Sequence, residues 1–290
     1  MRRDLGLRAD AVAGLIVDSH VHILPAAMRD ARDHLAKLDP WFDVCHRGGR
    51  AILTADELLA TMDATGIDRS VCFGWPFADP AHCAEVNDHL ISVQRAHPDR
   101  LTCFSTVSPA RRGAVDELRR CADEGLRGTG ELNADAQEFE LEGVAIDGVA
   151  SACVDLGVPL VLHCSEPVGH EYPGKGTATP ERVAGLALRH PELRLVCAHL
   201  GGGLPFFAHM PEVAELCRRL WFDTAAAPFL YAPTAYRAVA DLCGADRLLF
   251  GSDQPLLPAR RYIDAFAKAE LTAAERALVM GDNAMRLLGL

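Results

Sequence analysis

Short apolar runs rich in β-branched residues recur along the chain at Leu15–Ile23, Arg69–Trp75, Leu101–Val107, Leu126–Asn133, Val158–Cys164, Leu193–Leu200, Leu220–Thr224 and Arg247–Asp253. Most are continuously hydrophobic rather than alternating, the pattern of strands buried on both faces of a parallel sheet. The segments between them carry helix punctuation. Thr54-Ala55-Asp56-Glu57 reads as a capping box ahead of a helix over Leu58–Ala64, with Gly66 ending it. Thr179-Pro180 places a cap and a first-turn proline before Glu181–Arg189, and Thr272 to Glu275 forms a second capping box near the end. Strands alternating with helices predict an α/β fold, a closed (β/α)8 TIM barrel, with an open doubly wound sheet as the competitor. No linker, low-complexity tract or repeat divides the chain, so one domain is expected over residues 1–290. Two connections are long, Leu24 to about Leu53 and Ser165 to Pro180. Long loops in a compact domain are more often functional than idle.

Composition narrows the function classes. The 290 residues are 49% hydrophobic and 24% charged, with a net charge of −11. That balance works against sequence-independent binding to nucleic acid or to anionic membranes. No apolar run reaches transmembrane length, and Asp4, Asp10 and Asp18 interrupt what would have to be a signal core, so a cytoplasmic location is expected. The ten cysteines are scattered and form no C-x-x-C pair, which fits reduced, mostly buried thiols.

Candidate chemistry collects at the ends of the predicted strands, where a barrel keeps its active site. His20-Val21-His22 closes the first run, and a two-residue period points both imidazoles to one face. His163 closes the fifth run, His199 the sixth and Asp253 the eighth. A single histidine is ordinarily a satisfied core or surface residue, and H-x-H alone is a weak pattern. Three further ligand-type residues at three other strand ends make a stronger coincidence. Imidazoles with one carboxylate suit zinc first, with manganese or iron as alternatives. Asp18 shares a face with His20 and His22 and could support them or cap a neighbouring turn.

The loops offer a second set. Glu166, His170, Tyr172 and Lys175 crowd a Gly- and Pro-rich segment after the fifth strand that could orient substrate, with Lys175 holding an anionic group. The bland alternative is a solvated loop. Gly169 to Lys175 approaches a phosphate-binding loop but fails it, because Gly176 stands where Ser or Thr should bind magnesium. Gly201-Gly202-Gly203 reads as a tight turn beside the site, and Cys197 as a small core residue. In the first long loop, which also holds Trp41 and His46, Arg47 and Arg50 could bind a substrate carboxylate.

Asp18-Ser-His-Val-His-Ile-Leu-Pro25, His199-Leu-Gly-Gly-Gly203, Phe250-Gly-Ser-Asp-Gln-Pro255 and the closing Gly281-Asp-Asn-Ala-Met-Arg-Leu-Leu-Gly289 together resemble the amidohydrolase superfamily. The branch they resemble is the amidohydrolase-related one, which includes aminocarboxymuconate-semialdehyde decarboxylase. The resemblance implies a distorted (β/α)8 barrel in which His20, His22, His163 and Asp253 bind one divalent metal. It places His199 beside the metal-bound water or the substrate's reacting group, and it is compatible with a homodimer. Members with two metals often bridge them with a carbamylated lysine on the fourth strand. Here that strand holds no lysine, and Glu131 stands instead. Glu131 could bridge a second metal, contact substrate or pair with a rim arginine; a mononuclear site is the expectation.

A metal held this way lowers the pKa of a bound water. Asp253 could then carry the proton and His199 could hydrogen-bond a polarised carbonyl. The leading expectation is therefore a metal-dependent hydrolase of a small, anionic molecule with an amide, lactam or lactone bond. A non-oxidative decarboxylase of an unsaturated or aromatic carboxylate is the alternative the same residues support. A metal-containing binding protein without turnover is the third.

Overall fold

A computed structural model describes residues 14–47, 49, 51–257 and 260–290. Among the described residues every predicted run yields a strand, each shorter than its run. They are β1 (Val17–His22), β2 (Arg69–Phe73), β3 (Leu101–Cys103), β4 (Thr129–Leu132), β5 (Leu160–Leu162), β6 (Leu195–Cys197), β7 (Trp221–Asp223) and β8 (Leu248–Leu249). All the strand pairs are parallel, in the orders β1-β2-β3 and β4-β5-β6-β7-β8.

Both seams between these two sheets are hydrogen-bonded. At one, Ser105 N–H donates to Gly128 O (2.9 Å) and Gly130 N–H to Ser105 O (2.8 Å). At the other, Ser19 N–H donates to Phe250 O (2.7 Å), Asp253 N–H to His20 O (2.9 Å) and His22 N–H to Gln254 O (2.9 Å). These links join first strand to last, so the architecture is the closed barrel and the open sheet is excluded.

The outer helices form where the punctuation predicted them. The helix α4 (Ala55–Thr65) follows three short helices described below. It starts at a capping box in which Thr54 and Glu57 satisfy each other's backbone N–H groups. Gly66 ends it in the left-handed conformation, φ 79°. Thr272 and Glu275 repeat the box at Ala273–Ala277. Pro180 opens the helix Pro180–Arg189 as its first-turn proline, though Thr179 makes no side-chain cap. The first long connection is not bare loop. It folds into α1 (Ala26–Asp30), α2 (Arg32–Leu38) and α3 (Pro40–His46), the last capped by Asp39 accepting from Phe42 N–H at 2.8 Å.

One apolar layer inside the barrel seals its lower end. Val71, Phe104, Val161, Val196 and Leu249 meet Ala284, Leu287 and Leu288 of the final helix there, around a residual void of about 10 Å³. That is at most the space of one water molecule. Register slips by bulging in β1 between Asp18 and Val21 and in β4 between Thr129 and Leu132. Bulges re-aim side chains next to active sites, and these two strands carry His20, His22 and Glu131.

Candidate metal centre

The upper ends of the strands bring four imidazoles and two carboxylates to one point. His20 and His22 lie within β1, Glu131 within β4, His163 just past β5, His199 just past β6 and Asp253 beyond β8. His20, Glu131 and His199 are buried, and Asp253 nearly so, at 8% exposure. Two of these side chains are set by left-handed backbone: His199 has φ 58° and Asp253 φ 57°. Non-glycine residues in that region cost energy and cluster at functional sites. The glycine turn after His199 is needed for a different reason. A Cβ on Gly202 would stand 2.4 Å from Ser165 O, so only glycine lets this turn close against the β5 loop.

Each ring has one nitrogen tied outward to an acceptor. His20 Nδ1 donates to Asp223 Oδ2 (2.9 Å), His22 Nδ1 to Gly74 O (2.9 Å), His163 Nε2 to Gly174 O (3.0 Å) and His199 Nδ1 to Ala225 O (3.0 Å). A carbonyl or carboxylate oxygen can only accept, so a neutral ring that keeps its outward bond carries its proton on that nitrogen. In the neutral rings the opposite nitrogens therefore point inward as bare lone pairs. His20 Nε2 and His22 Nε2 are 3.3 Å apart, and His199 Nε2 and His163 Nδ1 are 3.0 Å apart.

The carboxylates face the same lone pairs. Glu131 Oε1 is 3.1 Å from His163 Nδ1 and 3.0 Å from His199 Nε2, and Asp253 Oδ1 is 3.7 Å from Nε2 of both His20 and His22. Buried lone pairs turned on buried carboxylates repel unless positive charge lies between them. Without a metal, protons supply it. Burial lowers the His20 pKa, but Asp223 and then Glu131 outweigh it and hold the ring at about 9. His199 is likewise lowered by burial and raised more strongly by its hydrogen bond to Glu131, to about 10. Burial raises Glu131, yet His163 and His20 hold it well below the usual carboxylate range. A divalent cation meets the same demand with better geometry, and imidazoles with carboxylates are its ordinary donors. The residues present fit a metal.

Two supporting carboxylates complete the centre. Asp223 also accepts from the backbone N–H of His199 (2.9 Å), so one buried side chain positions two of the histidines. The sequence reading missed it; its signal was a carboxylate closing the apolar run Leu220–Thr224. Asp18 accepts from Ser252 N–H (2.8 Å) and its hydroxyl and from His20 N–H (3.3 Å), tying β1 to the segment that carries Asp253. Burial pushes its carboxyl up to about 6. Glu131 pairs with imidazoles and, among the described residues, with no arginine.

The substrate candidates divide. Glu166 accepts from Tyr172 (2.8 Å) and from Tyr231 (2.9 Å) on the loop after β7, which ties the β5 and β7 loops together. Burial and the nearby Glu166 push both phenols up. His170 packs edge-on against Phe229 at 4.9 Å. Lys175 turns back on its own loop, donating to His170 O and Glu171 at 3.2 Å each. Arg47 is exposed at the end of α3 and pairs with Asp43, so the structure does not bring it to the centre. Arg50 lies outside the described residues. His46 instead stacks on Phe42 (4.1 Å) and meets Trp75 edge-on (4.6 Å), and Trp75 in turn lies 6.4 Å from His22. Trp41 lines a separate rim hollow of about 490 Å³ with His82 and Arg111, and none of the six side chains of the candidate centre lines it. Nine of the ten cysteines, Cys197 among them, are buried. Among the described residues no helix is long and apolar enough to cross a membrane.

A (β/α)8 barrel with histidines and carboxylates gathered at the upper strand ends is the class of metal-binding amidohydrolase folds. The family model described as amidohydrolase matches residues 17–290, and the chain belongs to that family. It is 25% identical to the gamma-resorcylate decarboxylase of a Rhizobium species, over 92% of this chain and 95% of that protein. It is 24% identical to the 2-amino-3-carboxymuconate-6-semialdehyde decarboxylase of Dictyostelium discoideum, over 76% of this chain and 70% of that protein. Among solved structures it resembles a 5-carboxyvanillate decarboxylase of Novosphingobium aromaticivorans complexed with manganese and 4-hydroxy-3-methoxy-5-nitrobenzoic acid. The TM-score is 0.79 and the identity 18%, with 100% of both chains covered. A 2,6-dihydroxybenzoate decarboxylase bound to 2,6-dihydroxybenzoate matches with TM-score 0.71 at 22% identity, over 96% of this chain and 100% of that one.

These relatives correct the leading expectation from the sequence. The proteins named are decarboxylases, so the hydrolase reading gives way to its alternative. The physical reason for the error is plain. One donor set activates water or binds a carboxylate equally well, and strand-end residues do not report which substrate the loops admit.

Proposed function

We propose that this chain is a metal-dependent, non-oxidative decarboxylase of an aromatic or unsaturated carboxylate. The observation that carries the proposal is the buried set of inward lone pairs and carboxylates, which demands a cation, on a chain whose relatives are named as decarboxylases. His20, His22 and Asp253, with His163 by the resemblance, would hold the ion. Manganese, bound in the neighbouring structure, is the first to load, ahead of the zinc that the ligand types suggested. When bound, the ion supplies positive charge that holds an anionic substrate and steadies electron density developing on it.

The chain's own groups account for the rest. The Asp253 side chain is 11% exposed, the opening through which a substrate would reach it. It is placed to deliver a proton to the carbon that loses its carboxylate. The bond from that carbon to the carboxyl group breaks, its electron pair becomes the new C–H bond, and carbon dioxide leaves; no oxidant is needed. His199, fixed by Ala225 O, presents Nε2 to the same space as a hydrogen-bond partner for a substrate oxygen. The clamp of Glu166 by Tyr172 and Tyr231 keeps the β5 loop in place to exclude bulk water.

The test is turnover of hydroxybenzoates, 2,6-dihydroxybenzoate among them, by manganese-loaded protein in deuterium oxide. The expected result is carbon dioxide with one deuterium on the vacated carbon, abolished by Asp253→Asn. Substrate-induced stabilisation without any product would instead support the binding-protein alternative.

A further inference from the structure

We infer that Tyr262 is a positioning residue, whose hydroxyl completes one hydrogen-bonded chain that orients His199 and Asp253 together. The inference rests on the reading of those two side chains as the groups that meet substrate, and goes beyond it by naming what holds them. Tyr262 lies in the helix Arg260–Ala267 and is fully buried. Its hydroxyl accepts from Ala226 N–H (3.0 Å) and donates to Ser252 O.

Those two partners belong to peptide groups that adjoin the centre. The carbonyl of the Ala225–Ala226 peptide accepts from His199 Nδ1 (3.0 Å), and the N–H of the same peptide is the one given to Tyr262. The carbonyl of the Ser252–Asp253 peptide accepts from Tyr262, and its N–H donates to His20 O (2.9 Å). Every donor therefore points the same way, from the His199 ring through peptide, phenol and peptide to β1. Hydrogen bonds in such a run polarise one another, so the hydroxyl in the middle strengthens both ends. Each peptide also leads into a non-glycine residue in the left-handed region, Ala226 at φ 53° and Asp253 at φ 57°. Backbone of that kind persists only where its surroundings hold it.

Joining the strand ends is not the task left to Tyr262. β7 and β8 are already paired, and Thr224 Oγ1 accepts from Gly251 N–H and donates to Gly251 O at 3.0 Å each. The phenol adds its link at the peptides that lead to His199 and Asp253. A neighbour supplies the contrast. Tyr236 is also buried and stacks on Phe266 at 4.9 Å, but its hydroxyl has no hydrogen-bond partner among the described residues. Removing that hydroxyl orphans nothing, whereas Tyr262→Phe leaves Ala226 N–H without its acceptor and Ser252 O without its donor.

The test compares Tyr262→Phe with Tyr236→Phe in two readouts. The first is the His199 Nδ1–H resonance in histidine-labelled, metal-free protein, identified by its loss in His199→Asn. The second is turnover of 2,6-dihydroxybenzoate at saturating manganese, counted per folded, metal-loaded chain. Expected for Tyr262→Phe are an upfield shift of that resonance and a kcat lower by about 10–100-fold, with KM nearly unchanged. Tyr236→Phe should change neither. Should Tyr262→Phe fail to fold, 4-aminophenylalanine at position 262 keeps a donor to Ser252 O but accepts poorly, and the upfield shift should remain. An unmoved resonance or an unchanged kcat in the folded variant overturns the inference. So does an equal loss in Tyr236→Phe, which would reduce Tyr262 to packing. A moved resonance in a protein whose wild type turns over no hydroxybenzoate sinks the decarboxylase proposal and leaves the chain of bonds standing.

Discussion

The two ends of the barrel are built by the same strands to opposite rules. Val161 of β5 packs into the floor and His163, just past that strand, stands in the candidate metal centre; for β6 the pair is Val196 and His199, and on the β8 side Leu249 and Asp253. The floor closes around about 10 Å³ of void with an apolar lining broken by Ser19 alone. The rim gathers lone pairs and carboxylates that cannot satisfy one another without added charge. The floor is where the fold is stabilised, and the rim spends some of that stability to keep an unsatisfied site ready for a ligand.

If that division holds, substitutions at the two ends should separate stability from metal binding. The largest effect on folding belongs to the floor. Leu249→Ala, at a fully buried position, should cost about 2–5 kcal/mol in a denaturant titration while leaving metal content per folded chain unchanged. Loss of metal from well-folded Leu249→Ala would break the comparison.

Next is the support beneath the rim. Asp223→Asn keeps the shape of the side chain but removes the charge behind His20, and should weaken metal affinity by about 10–100-fold. Its effect on the metal-free fold should be small by comparison, because Asn can still accept from His199 N–H. Isothermal titration with manganese reads the first change and thermal melting the second.

The smallest effect is a pH dependence confined to the rim. In metal-free protein His20 sits at about 9 and His199 at about 10, both above their ordinary 6.5. Raised values mean that the folded state holds these protons more tightly than the unfolded one. Their contribution is therefore complete below pH 6.5 and is lost as pH rises through 9 to 10. The melting temperature of stripped protein should fall over that window, and metal-loaded protein, whose charge comes from the ion, should fall less. Equal slopes would show that the two rings do not carry the rim's charge.

Much of this was legible in the sequence, for physical reasons. Buried parallel strands announce themselves as continuous apolar runs, and His20, His22, His163, His199 and Asp253 stand where such runs end. The capping boxes at Thr54 and Thr272 are local devices and appear as read. What stayed hidden depends on contacts distant in the chain. Asp223 meets His20 across 203 residues, and Tyr231 meets Glu166 across 65, so neither leaves a local pattern. The short helices α1 to α3 escaped because five to seven residues cannot display an apolar stripe. Arg47 is drawn away from the centre because Asp43, one turn earlier, offers a nearer partner. The reaction type was hidden because hydrolysis and decarboxylation call on the same donors.

The most direct test of the account is metal content by mass spectrometry on purified wild type and on a His20→Ala/His22→Ala variant, with melting curves to confirm that both are folded. The account predicts divalent metal in the wild type and its loss in the variant, with decarboxylation falling by about 10³-fold or more, since metal stabilisation of this kind is worth several kcal/mol. Wild-type protein that carries no metal and takes none up on reconstitution would contradict it.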